Sequence, residues 1–171
     1  ADRQRGQAES RAGNQVDAQR DYYQRNPANA KLAQYAQKVV SSPGKRDGLY
    51  YPTPAGEPPS PLGALFAAAQ AQGYRLDGAG AKAAPYFGYY YRVLKAQGPD
   101  APGGAYDYVA NGHMIGGFAM VAYPARYGVS GVMTFIVNQD GVVYQKDLGA
   151  ATAASAARMT TFNPDASWRR P

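Results

Sequence analysis

Residues 130 to 146 constrain the fold more than any other stretch. SGVMTFIVN (130–138) is rich in β-branched and apolar residues and reads as a strand. Gln139-Asp140-Gly141 follows, and Val142-Val143-Tyr144-Gln145-Lys146 reads as a second strand. Asp-Gly between two such runs predicts a β-hairpin, because the glycine takes a positive φ at little cost. A period of two begins further upstream, at Tyr89. YYYRVLK (89–95), GAYDYVA (104–110) and GGFAMVAY (116–123) read as strands, the last with Phe118, Met120 and Ala122 on one face. Short links between sequential strands imply an antiparallel meander. The expected fold class is therefore α+β, with N-terminal helices on a three- to four-stranded antiparallel sheet spanning residues 85 to 149.

The remainder supplies the helices. Residues 7 to 25 predict a polar helix with a thin stripe of Ala8, Ala12, Val16 and Tyr23, ended by Asn26-Pro27. Residues 28 to 41 predict a second helix, with Leu32, Tyr35, Ala36, Val39 and Val40 on one face. Residues 42 to 61 hold six prolines and three glycines, which exclude a long regular element; Leu49, Tyr50 and Tyr51 are expected to pin this stretch as an ordered loop. Ser60-Pro61 signals a helix start, Leu62, Leu65, Phe66 and Ala69 give its stripe, and Gly73 its stop. Residues 151 to 159 predict a short alanine-rich helix. The chain reads as one domain, 1–171, made of a helical segment (1–41), a Pro/Gly-rich loop and helix (42–84), the sheet (85–149), and a short helix with its tail (150–171).

Composition removes several chemistries. The 171 residues include no cysteine, so disulfides, thiolate metal sites and cysteine nucleophiles are excluded. No apolar run is long enough for a transmembrane helix. The net charge is +6, which suits nucleic acid or an anionic surface. Yet Arg3, Arg5, Arg11, Arg20 and Arg25 alternate with Asp2, Glu9, Asp17 and Asp21, the pattern of a solvated helix face. The 15 tyrosines, 20 glycines and 13 prolines suggest an extracytoplasmic, β-rich surface.

No complete active site is legible. The one histidine, His113, follows Asn111-Gly112 in a link between strands and is expected as an exposed turn residue, with a ligand contact as the alternative. Ser130 sits one residue out of a nucleophile-elbow pattern. Asp140 and Asp147 offer too few oxygens for calcium, and an Asp107–Asp140 carboxylate pair has no support from spacing. Gly44-Lys45 lacks the rest of a phosphate loop. No metal and no cofactor are expected.

The tyrosines are the candidate binding residues: Tyr89, Tyr91, Tyr106, Tyr108, Tyr127 and Tyr144 lie on predicted strands or their ends, with Tyr86 and Tyr90 beside them. Exposed rings on a sheet stack on bases or sugars or form a protein interface. The plainer alternative is packing between strands and under helices.

VDAQRDYY (16–23), YAQKVVSSPGKRDGLYYPTPAGEPPSPLG (35–63), PYFGYYYRVLKAQG (85–98), GGAYDYVANGHMIGGFAMVAYPARYGVSGVMTFIVNQDGVVYQKDLG (103–149) and FNPDASW (162–168) carry a resemblance to the DUF2950 proteins. It implies a secreted or periplasmic bacterial protein with a signal peptide and a further region upstream of the VDAQ helix, which this chain is expected to lack. It implies no catalytic residues. The order of strands, Tyr-Pro, Gly-x-x-Gly and Asp-Gly in 116–144 also resembles the sheet of type IV pilins and pseudopilins, without their apolar helix.

The functional expectation is a non-enzymatic periplasmic or extracellular binding or assembly module, partnered by itself or another exported protein. Nucleic acid or polysaccharide are further candidate partners. The alternative is a hydrolase of cell-wall or polysaccharide material working through Asp carboxylates. The polar helix at 7–25 must gain packing from the sheet, from an upstream region or from a neighbouring subunit.

Overall fold

The computed structural model describes residues 2–71 and 87–171. Gly73 and Tyr86 lie outside the described residues, as do the side chains of Ala8 and Ala69. The elements run α1 (Asp2–Arg25), β1 (Lys38–Val40), β2 (Gly48–Tyr50), α2 (Gly63–Ala71), β3 (Tyr89–Leu94), β4 (Ala96–Gln97), β5 (Tyr106–Asp107), β6 (Val109–Ala110), β7 (His113–Met114), β8 (Ala119–Pro124), β9 (Met133–Asn138), β10 (Val143–Asp147), α3 (Thr152–Arg158) and β11 (Thr161–Phe162).

The fold is α+β, with an N-terminal helix and antiparallel sheet. The largest sheet has the order β10-β9-β8-β3, antiparallel throughout. Its β9–β10 hairpin turns at Asn138–Gly141, where the Gly141 amide donates to the Asn138 carbonyl at 2.9 Å and Gly141 has φ +76°. Directly paired residues share a face. Tyr91, Ala122 and Phe135 thus stand side by side, as do Val93, Met120 and Val137. Arg92, Val121, Ile136 and Tyr144 stand on the other face.

One helix covers each face. Ala12, Val16, Ala18 and Tyr22 bury α1 against the first face, so the packing this polar helix needs comes from the sheet. Tyr22, and not Tyr23, completes its buried stripe; Tyr23 is exposed. On the second face Arg92 donates to the carbonyls of Ala156 and Met159 at the end of α3. A cation at a helix C-terminus satisfies orphan carbonyls and complements the helix dipole. Each large core side chain, such as Leu49, Phe118 or Phe162, contributes about 1.5–3 kcal/mol by burial.

Several expectations are corrected. Residues 28 to 37 form no helix, and Lys38–Val40 is a strand. The reason is a side-chain clamp. Gln19 Nε2 donates to the Ala36 carbonyl and Gln19 Oε1 accepts from the Ala36 amide, both at 2.8 Å, while the Tyr35 amide donates to the Met114 carbonyl at 2.9 Å. Those partners hold the backbone extended and leave it none for a helix. Nor are all strand pairs antiparallel, because β1 runs parallel to β2 and β11 parallel to β4. The short loop between β1 and β2 folds back because Asp47 accepts from the Ser42 amide at 2.7 Å, the Ser42 hydroxyl at 2.9 Å and Lys38 Nζ at 3.3 Å. Burial would raise the Asp47 carboxyl, but these donors outweigh it and hold it below its ordinary value.

Residues 85 to 149 also do not make one sheet. The expected strand 104–110 breaks at Tyr108 into β5, which pairs with β4, and β6, which pairs with β7. The strand expected from Ser130 begins at Met133, because Ser130 Oγ accepts the Arg126 amide at 3.0 Å in the preceding turn. In α2, Phe66 stacks on Tyr50 of β2 with ring centres 4.2 Å apart.

Candidate functional site

The buried face of α1 does not close evenly on the sheet. Residues 11, 15 and 19 recur every four positions, so their side chains lie in a row on the helix. Gln19 ends in the Ala36 clamp. At Arg11 and Gln15 the helix stands off the sheet and leaves a cavity of about 140 Å³. Its floor is apolar, formed by Met120, Ala122, Phe135 and Val137. Tyr89, Tyr91, Phe87 and Ser130 complete the wall on the β3 side. A cavity of about 150 Å³ lined by apolar side chains is large enough for benzene.

Its polar groups are few and converge. Gln15 is 1% exposed, and neither its Oε1 nor its Nε2 has a hydrogen-bond partner. The Arg11 guanidinium lies 4.4 Å from the centre of the Phe87 ring, a cation–π geometry. It also faces the Tyr91 hydroxyl. Burial pushes that hydroxyl up from its ordinary value, and the Arg11 charge opposes the shift without cancelling it. Tyr89 is raised in the same way, and its hydroxyl donates to the Met133 carbonyl at 3.1 Å. The Tyr89 ring crosses the backbone of Gly131 so closely that a Cβ there would collide with its hydroxyl.

The six candidate tyrosines divide. Tyr89 and Tyr91 meet at the cavity. Tyr106 and Tyr108 form an edge-to-face pair elsewhere, 5.2 Å apart. Tyr108 is fully buried and donates to Gln97 Oε1 at 2.8 Å, so it presents no face to a partner. Tyr127 is exposed and donates to Asp147 Oδ1 at 2.8 Å, a bond that raises its hydroxyl's pKa. Tyr144 packs edge-on against Phe162. Tyr90 pairs with Tyr123.

The other candidates fall away from the cavity. His113 is half-buried in β7, just past an Asn111-Gly112 turn with φ +50° and +78°, and is not the exposed turn residue expected; its Nδ1 lies 3.3 Å from Gln34 Nε2. Asp107 and Asp140 are exposed, and Asp107 accepts the Val109 amide at 2.9 Å. Among the described residues no group of three or more His, Asp or Glu could hold a metal, and no helix is long and apolar enough to cross a membrane. Neither Arg11, one of several charges on a polar helix, nor Gln15 stands out in the sequence as a site residue. Their signal was the spacing 11, 15, 19 beside the Ala12–Val16 stripe, which sets polar residues where a helix packs.

Residues 6–170 match a family described as a protein of unknown function, DUF2950. The chain belongs to the DUF2950 family. No match was found among curated proteins or among solved structures. In this DUF2950 protein the residues that line the cavity, from Arg11 to Val137, lie inside the matched span.

Proposed function

We propose that the protein is a non-catalytic, extracytoplasmic binding module that holds a small ligand between α1 and the sheet. The observation behind this reading is the cavity itself: an apolar floor, an arginine, an unpartnered buried amide and two tyrosines, with no carboxylate or imidazole among its described lining residues. Few convergent polar groups over an apolar surface are what small-molecule sites have in common. A hydrolase would need an acid and a base at one place. The extracytoplasmic placement draws on the composition rich in tyrosine, glycine and proline.

Thermal denaturation with toluene or benzyl alcohol tests the reading. Both should raise the melting temperature of the native protein, and Ala122→Phe, which fills the floor, should abolish the rise. Lack of binding by any probe would overturn it. So would hydrolysis of cell-wall material that disappears in Asp107→Asn or Asp140→Asn.

Assembly is a second reading, favoured by one feature. β3 forms an edge of the main sheet, opposite β10, with β1 packed near it, and ladder groups left open at a sheet edge pair with another chain. Together with a helix across an antiparallel sheet it supports a pilin-like, self-associating role. Light scattering across a wide concentration range tests it; a monomer throughout would end it.

A further inference from the structure

A primary amide carries two N–H donors and an acceptor oxygen. Gln15 has all three out of water and unpartnered, although burying such a group without hydrogen bonds opposes folding. Native chains retain a group like this where ordered water or a ligand completes it. One turn earlier, Arg11 contacts the Phe87 ring and the Tyr91 hydroxyl, and makes no ion pair among the described residues. The guanidinium and the Gln15 amide thus present N–H donors from the same side of one helix. A single cation suits a single negative charge, and a planar carboxylate matches the guanidinium fork. Gln15 Oε1 still needs a donor, which must come from the ligand close to its carboxylate. Beyond these groups Met120, Phe135 and Val137 offer only apolar contact, in a space of about 140 Å³.

Resting on the binding reading above, we propose that the cavity takes a small monocarboxylate with a hydroxyl on the adjacent carbon and an apolar body about one ring in size. The carboxylate accepts from Arg11 and from Gln15 Nε2. The hydroxyl donates to Gln15 Oε1. The apolar body lies on the sheet.

Isothermal titration at neutral pH with four probes tests this: mandelate, its methyl ester, phenylacetate, and toluene. Mandelate should bind tightest, with the ester and phenylacetate each weaker by about tenfold or more, a difference of about 1.4 kcal/mol. Arg11→Met should level mandelate with its ester. Gln15→Leu should level mandelate with phenylacetate and keep the penalty of the ester. Urea midpoints establish that each variant folds, and Arg11→Gln, which removes the charge but keeps a polar side chain, replaces Arg11→Met if that variant fails. Equal affinity for charged and neutral probes, with toluene still binding, would overturn the carboxylate proposal and leave the binding reading standing. Selectivity that survives both substitutions, or mandelate binding that survives Ala122→Phe, would also overturn it. Failure of all four probes would overturn both.

Discussion

Gln15 and Gln19 are the same side chain, one helical turn apart, on the same buried face of α1, and their surroundings are opposite. Gln19 is fully buried with both amide atoms paired to the backbone of Ala36. Gln15 is buried to almost the same degree with neither atom paired. At the Gln19 end an extended segment comes up to the helix and closes the interface. At the Gln15 end the helix faces a cavity. A buried amide therefore has no fixed meaning in a helix: its worth to the fold depends on whether the chain itself brings its partners.

The widest gap should appear on removing each amide. Gln19→Ala leaves the Ala36 N–H and carbonyl without partners, and should lower stability by about 2–4 kcal/mol in urea denaturation. A loss below about 0.5 kcal/mol would mean that water replaces the clamp and that the two ends are alike.

Gln15→Leu should move the other way. It removes a buried, unpaired polar group and should raise stability by about 1–2 kcal/mol by the same measurement. A destabilised Gln15→Leu would show that Gln15 has partners in solution and erase the contrast.

One turn beyond Gln19, Tyr22 extends the closed end. Its hydroxyl donates to the Arg46 carbonyl at 2.7 Å. Burial, reinforced by the charge of Asp47 and by Tyr51, raises it from 10.0 to about 12. The unfolded chain gives up this proton first, so the stabilisation is fully present below pH 10 and is lost as pH rises through about 12. Tyr22→Phe should lose about 1 kcal/mol at neutral pH and show a shallower decline in stability above pH 10. Equal alkaline slopes in the two proteins would remove Tyr22 from the closed end.

The smallest effect belongs to the open end. Arg11→Met should lower stability by less than about 1 kcal/mol, because it removes the contacts with the Phe87 ring and the Tyr91 hydroxyl but no ion pair among the described residues. A larger loss would give Arg11 a structural role like that of Arg92 on the opposite face.

The sheet was legible where period two is local. Asp140-Gly141 marks the β9–β10 hairpin, and YYYRVL and AMVAYP carry their apolar residues into the paired register. The segment 28–41 misled for a physical reason. Its spacing suits a helix, yet Leu32, the first residue of that stripe, is exposed, and Val39-Val40 joins a parallel pair instead. What decides its conformation is a glutamine 17 residues earlier, and tertiary partners of that kind leave no local period. The cavity was hidden likewise. Tyr89 and Tyr91 were visible as a tyrosine pair on one strand face, but Arg11 reads like every other arginine of a polar helix until the sheet is placed beneath it.

The parallel pairing of β11 with β4 also sets an order of events for the nascent chain. Phe162 is buried in the core, and the amide of Gly98 donates to its carbonyl at 2.9 Å. Further on, Arg169 exchanges both backbone hydrogen bonds with Gln145 along the outer edge of β10. A chain made only as far as Asp147 has its hairpin and first helix but neither seal. Contacts of such long sequence separation form late and slowly. The main sheet therefore reaches its final packing only once residues 161–169 have docked beside it, so a hairpin that forms from local signals is locked by a segment that follows it in the chain.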